Sequence, residues 1–217
     1  MARSVSAFLI LAAFLMLSVS FAGASSVELL NFTGLQDGQS VQNFYNGSGV
    51  AATPNFGITF STNFVGLLPA SMGGSGGFGP NPTLNPYIYI NNNSMGVMNV
   101  AAGFSSGLNF FYASLANETV TIWSGLNGSG TQLASITLSA SCAGSVTSCI
   151  WFDTGFKFSG TAQSVTFTAP GGIQGIALAD ITLGQSMTAV PETSSIYLLA
   201  TGLFGIGVSQ IRRLIRL

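Results

Sequence analysis

From Val27 to Leu183 the chain is broken at short intervals by Gly, Pro and Asn, and between the breaks lie short runs of β-branched and aromatic residues. Gly and Pro punctuate helices and central strands alike, so a chain with 28 Gly and 7 Pro has room only for short elements joined by turns. The runs alternate large apolar with small or polar side chains, which is the period of half-buried strands. The alternation is cleanest at Thr119-Val120-Thr121-Ile122-Trp123: Val120 and Ile122 share one face, and Thr119, Thr121 and Trp123 share the other.

On this pattern, strands are expected over Val27–Phe32, Phe56–Phe60, Tyr87–Ile90, Val97–Val100, Thr119–Trp123, Leu133–Leu138 and Val165–Thr168. Further strands are expected within Phe104–Tyr112, at Ile150–Phe152 and Phe156–Phe158, and in the run Ile173–Leu183. Asn91–Ser94 reads as a hairpin turn, and Ser124–Gly130 as the turn-rich link of a second hairpin. About ten or eleven strands with no helical period predict an all-β fold, an antiparallel β-sandwich of the jelly-roll kind. First and last strands are commonly neighbours in such sandwiches, which would bring Glu28 near Asp180.

Composition then removes whole classes of function. Of 217 residues 47% are hydrophobic and 5% charged, too apolar for a disordered chain, and few Lys, Glu or Arg residues favour helix. Four of the five basic residues, Arg3, Arg212, Arg213 and Arg216, lie at the two ends, leaving Lys157 alone in the middle. A mildly acidic middle has no basic patch for phosphates, which argues against nucleic acid as a partner. The absence of histidine removes Ser-His-Asp and Cys-His nucleophilic sites and most zinc sites. Cys142 and Cys149, close together in an exported chain, are expected to form a disulfide that closes a small loop.

The remaining polar and aromatic residues supply few candidates for chemistry. Met72–Pro86, with Gly73-Gly74-Ser75-Gly76-Gly77 and three prolines, is expected to be a long surface loop. It lacks the Lys-Ser or Lys-Thr pair and the following helix of a phosphate cradle. Glu28, Asp37 and Asp180, with nearby carbonyls, are the candidate ligands of a structural Ca²⁺, although no Asp-x-Asp-x-Asp loop accompanies them. Glu118 with Asp153 or Asp180 is the carboxylate pair to weigh for glycoside hydrolysis; the spacing has no signature, and no catalytic residue is assigned. Among the aromatics, Trp123, Tyr87 and Tyr89 are the candidates for stacking on sugar rings, set against the ordinary use of such residues in a core.

Both ends read as targeting segments. Residues 1–24 have a positive Arg3, an apolar run Ala7–Phe21 and the small-residue site Ala22-Gly23-Ala24, the pattern of a signal peptide cleaved after Ala24. Residues 25–187 form the β-domain, and 188–217 a tail of three parts. In the tail, Val190-Pro191-Glu192-Thr193 precedes an apolar span, Ile196–Ile211, which is expected to be a transmembrane helix. Arg212, Arg213 and Arg216 follow as its cytoplasmic stop, placing the β-domain outside.

The order Val190-Pro191-Glu192, Ser194-Ser195, a Leu- and Gly-rich span and Arg212-Arg213 resembles the PEP-CTERM sorting signal of Gram-negative bacteria. Where the family motif ends in proline, this chain has Thr193. The resemblance implies recognition by exosortase, a membrane protease-transpeptidase, and cutting near the motif. It also implies export to the cell surface or the extracellular polysaccharide of a biofilm matrix. The middle, including Ser124–Gly130 and Ala179–Gly184, is more loosely similar to the β-sandwich domains that precede such tails. The expected function is that of a non-enzymatic surface or matrix protein without a cofactor; the alternative is a carbohydrate-binding module that attaches to exopolysaccharide.

Overall fold

The alternating runs pair into antiparallel sheets in a computed structural model that describes residues 28–47, 54–90, 95–168 and 175–184. The strands are β1 (Glu28–Leu30), β2 (Ile58–Phe60), β3 (Phe64–Leu67), β4 (Tyr87–Ile90), β5 (Gly96–Phe104) and β6 (Gly107–Ser114). They continue with β7 (Glu118–Trp123), β8 (Gln132–Leu138), β9 (Phe152–Lys157), β10 (Ala162–Thr168) and β11 (Ile176–Leu183). One sheet runs β3-β4-β11-β6-β9 with β1 also on β11, and the other runs β2-β5-β10-β7-β8. Successive strands from β4 to β11 are shared between the sheets in the order of a jelly roll, and the apolar side chains of both inner faces form one core.

Several expectations hold and some are corrected. β7 and β8 form the expected hairpin, pairing Val120 with Ile136 and Thr121 with Ser135. β4 and β5 do not form one, because they belong to opposite sheets. Ile88 and Ile90 meet Met98 and Val100 across the shared core, an arrangement that a tight hairpin in a single sheet would prevent. The two short runs expected at Ile150–Phe152 and Phe156–Phe158 are one strand, β9. β3, unforeseen, contains Gly66, where an added Cβ would lie 2.6 Å from the Leu35 side chain, so the strand depends on a close approach that alternation does not reveal.

First and last described strands do pair: Glu28 faces Leu183 and Leu30 faces Ile181. Within β11 the register to β6 shifts between Ala179 and Thr182, where Asp180 adopts φ 46°. This bulge changes the parity of the strand, so Ile176 and Leu178 before it and Ile181 and Leu183 after it all reach the core. Phe167 packs edge-on against Phe64 and Phe110, joining both sheets at the centre.

The outer face of the first sheet is also covered. Tyr87, Ala113, Ala177 and Ala179 form a second cluster with Phe78 and Cys149. The expected Gly- and Pro-rich surface loop is therefore a loop, but a packed one, whose Phe78 is buried. The Trp151 indole donates to the Phe78 carbonyl at 2.7 Å, and both Asp37 carboxylate oxygens accept from the loop, from Leu68 N at 2.8 Å and Ser75 N at 3.1 Å.

At the sandwich end, Phe32 sits buried at φ 57°, a left-handed conformation costly for a bulky residue. Its amide donates to the Tyr45 hydroxyl at 2.7 Å, and its ring packs against Tyr45 and Phe60. Removing the hydroxyl with Tyr45→Phe leaves that buried amide without its partner. Equilibrium denaturation should show a loss of about 1–3 kcal/mol, with an unchanged far-UV spectrum.

Candidate functional site

The second sheet's outer face is built from the polar half of each alternation. In register across it lie Asn99 on β5, Ser164 on β10, Trp123 on β7 and Gln132 on β8. The next row is Val97, Thr166, Thr121 and Ser135, and the row beyond is Thr168, Thr119 and Thr137. The face is thus a grid of hydroxyls and carboxamides with one indole, one valine and no charged side chain. Period-two alternation places these residues together because Met98, Val120, Ile122, Val165 and Phe167 are drawn to the opposite side.

The Ser124–Gly130 connection folds back onto this face. Asn127, at φ 57°, donates its amide to Asn99 Oδ1 and accepts from Asn99 Nδ2, both at 2.8 Å. Gly128 N donates to Ser164 Oγ at 2.9 Å, and Ser164 Oγ donates to the Gly125 carbonyl at 2.6 Å. At Gly128 a Cβ would fall 2.7 Å from the Thr166 methyl, so glycine is what allows the loop to lie this close. Trp123 is half-buried, and its Nε1 donates to Thr166 Oγ1 at 2.9 Å, which fixes the ring plane. Thr119 and Thr137 keep hydroxyls without a partner among the described residues. Val97, Thr121, Ser164 and Thr166 are buried, so the accessible part of the face is Asn99, Thr119, Trp123, Asn127, Gln132, Ser135, Thr137 and Thr168. Those residues offer hydrogen bonds to neutral, hydroxylated groups and an aromatic edge or face to apolar C–H, with no ionisable group among them.

The three expected sugar-stacking residues are not gathered. Trp123 is on this face, whereas Tyr87 and Tyr89 belong to the covered face of the other sheet. Tyr87 is fully buried and its hydroxyl accepts from Phe78 N at 3.4 Å, so it cannot meet a ligand. Burial pushes its pKa up, partly offset by that hydrogen bond.

Glu28, Asp37 and Asp180 do not form a cluster either: among the described residues no group of three or more Asp, Glu, Cys or His side chains could hold a metal ion. Asp37 is engaged by the Gly-rich loop, and the amide of Leu68 foremost, then Ser75, holds its carboxyl below the usual range. Cys142 and Cys149 are bonded and brace the loop over the first sheet.

The signal residues Ala22 and Ala24, the motif Val190, Pro191, Glu192 and Thr193, the apolar span and Arg212, Arg213 and Arg216 lie outside the described residues, as does the Asn91–Ser94 turn. Among the described residues no helix is long and apolar enough to cross a membrane.

The carboxylates weighed for hydrolysis are also apart. Asp153 is exposed on the edge strand β9, and Glu118 shares the inward face of β7 with Val120 and Ile122. A cavity of about 370 Å³ borders the Gly-rich loop, but Pro69, Gly76, Gly79, Pro80 and Leu84 line it, with Asn81 bonded within its own loop. It brings no ionisable groups together.

Sequence reasoning found Trp123 and missed Asn99, Asn127, Thr121 and Thr166. Their alternation is visible, but their adjacency depends on long-range register.

No family model matches the chain, and no curated protein does. Among solved structures, a cleaved adhesin domain of Lys-gingipain from Porphyromonas gingivalis is 12% identical, covering 73% of this chain and 99% of its own, with a TM-score of 0.46. A family 29 carbohydrate-binding module variant is 10% identical over 77% of this chain and 99% of its own, at 0.43. A family 6 carbohydrate-binding module is 15% identical over 75% and 95%, at 0.39. With TM-scores below 0.5, these likenesses carry no argument about this chain.

Glu118 is fully buried, and neither carboxyl oxygen has a hydrogen-bond partner among the described residues. Burial pushes its pKa up to about 7, and the Ser114 hydroxyl offsets only part of this, since it donates to the Ala116 carbonyl at 2.8 Å. Below that pH the carboxyl is held in the fold in its neutral form. Its folded pKa exceeds the unfolded one, so its contribution is complete below pH 4.5 and is lost as pH rises through 7. Measured by denaturation, wild type should lose on the order of 2–3 kcal/mol relative to Glu118→Gln between pH 4.5 and pH 8.

Proposed function

We propose that this chain is a non-catalytic, polysaccharide-binding sandwich of an exported surface or matrix protein. The observation that carries the reading is the uncharged outer face of the second sheet, where Thr166 holds the Trp123 ring amid Thr, Ser and Asn side chains. Neutral sugars present ring C–H groups to an aromatic surface and hydroxyls to amides and hydroxyls, which is the chemistry this face supplies. Its lack of charge disfavours phosphate, nucleic acid and strongly acidic glycans.

The exported location rests on the targeting pattern at the two ends. The Val190-Pro191-Glu192-Thr193 motif before an apolar span and Arg212, Arg213 and Arg216 supports sorting by an exosortase-type enzyme, with the β-domain left outside. Such a route would bring the hydroxyl-rich face to the polysaccharide matrix.

The binding reading is tested by calorimetry of the exported chain against neutral polysaccharides, the producer's own included. Trp123→Ala should weaken binding by at least about tenfold, and Tyr89→Ala, on the other sheet, should leave it unchanged. An absence of saturable binding to every glycan, or equal binding by the Trp123 variant, would overturn it. The sorting reading is tested separately by mass spectrometry in a host with exosortase: a shortened C-terminus is expected, and recovery of chains ending at Leu217 alone would refute processing.

A further inference from the structure

The two sides of the sandwich treat their sheet edges differently. On one side the chain between Gly38 and Tyr45 closes both. Gly38 N donates to Gly66 O at 2.9 Å, Gly66 N to Gln39 O at 2.7 Å and Val41 N to Phe64 O at 3.1 Å, covering β3. Phe60 N donates to Gln42 O at 2.8 Å and Ile58 N to Tyr45 O at 3.3 Å, covering β2. On the other side β9 pairs only with β6, and its far edge takes part in no backbone hydrogen bond among the described residues. An open edge is a template for another strand.

The sequence of that edge is complementary to itself. β9 reads Phe152-Asp153-Thr154-Gly155-Phe156-Lys157, and an antiparallel pairing of two copies about Gly155 sets Asp153 of each against Lys157 of the other. The same register sets Thr154 against Phe156 and Phe152 against Phe158. Asp153 and Lys157 are both exposed, and neither has an ion-pair partner among the described residues. Lys157 is the sole basic residue between Arg3 and Arg212. Phe152 is 44% exposed beside the unpaired edge, and Ile150 just before it is 64% exposed. A lone lysine guards an edge against general pairing, but an aspartate at the mirror position removes that guard for one partner alone, a second copy of the chain.

We infer that β9 is a self-association edge, and that two copies pair through it with twofold symmetry into one sheet continuous across both sandwiches. β8, the open edge of the other sheet, has no charge on either face to set such a register. The inference is independent of glycan binding, since β9 belongs to the sheet that does not carry Trp123.

Sedimentation equilibrium of the full chain as recovered after export tests it. A concentration-dependent dimer is expected. Asp153→Lys or Lys157→Glu alone sets like charges across the twofold axis and should weaken dimerisation about tenfold or more, and the double charge swap should restore it. Mixing the two single variants should yield a heterodimer, because each then presents the charges that the other lacks. Both positions are exposed, so the variants should fold with the wild-type far-UV spectrum. A monomer throughout up to millimolar concentration, or a dimer indifferent to these substitutions, would overturn the inference.

Discussion

Everything in this sandwich depends on β11 being bonded along both edges and buried on both faces. Its inner residues enter the main core, and its outer alanines, Ala177 and Ala179, lie beneath the Gly-rich loop. Along one edge it holds β6; along the other it holds β4 over its first half and β1 over its second. The bulge at Asp180 makes this division workable. Without a parity change, Ile181 and Leu183 would face outward and the last half of the strand would pack its apolar residues against nothing. A single residue at φ 46° thus lets one strand serve as both the centre of the first sheet and the partner of the first described strand.

The two outer faces then diverge according to side-chain size and polarity. On the first sheet, small alanines leave room for a second layer, and the loop from Leu68 to Pro86 fills it with Phe78, tied down through Trp151, Asp37 and Tyr87. Glycine is needed where this loop is tightest: at Gly76 a Cβ would lie 2.2 Å from the Tyr87 hydroxyl. On the second sheet the outer positions are mainly Thr, Ser and Asn, and those that become buried, Thr121, Ser164 and Thr166, do so with their hydroxyls hydrogen-bonded. Among the described residues that face receives the short Ser124–Gly130 loop. The fold closes one face as structure and leaves the other as a hydrogen-bonding surface.

Much of this was legible in single strands and little of it between them. Tyr87–Ile90 is legible to the residue because Pro86 and Asn91 bound a β-branched and aromatic run, and Thr119–Trp123 to within one because its alternation is strong. The β7–β8 hairpin was legible because its turn lies within the same stretch of sequence. Failures arose where distant residues decide. β3 exists because Gly66 admits Leu35, β4 and β5 separate because their isoleucines, methionine and valine share a core, and Tyr87 is buried because the loop carrying Phe78, nine residues upstream, folds over it. Tyr87 and Trp123 look alike as exposed-face aromatics in sequence; only the loop contacts tell a covered residue from an available one.

The scarcity of charge links the fold to the setting in which such a surface would act. With Lys157 the sole lysine or arginine in the β-domain, no ion pair within one chain holds a sheet edge or an outer face among the described residues. Backbone bonds from Gly38–Tyr45 close two edges, a disulfide and an indole hold the loop, and reciprocal amides hold the Asn99–Asn127 contact. Each is short-ranged and indifferent to ionic strength, whereas ion pairs between exposed groups are screened over roughly 8 Å at physiological salt. Glu118 follows the same economy of charge: its buried carboxyl has no hydrogen-bond partner among the described residues, and burial raises its pKa to about 7, favouring the neutral acid. A domain whose described residues are held without ionic contacts within the chain keeps its shape as ionic strength changes, and its outer face presents the same neutral pattern at high salt that it presents in dilute buffer.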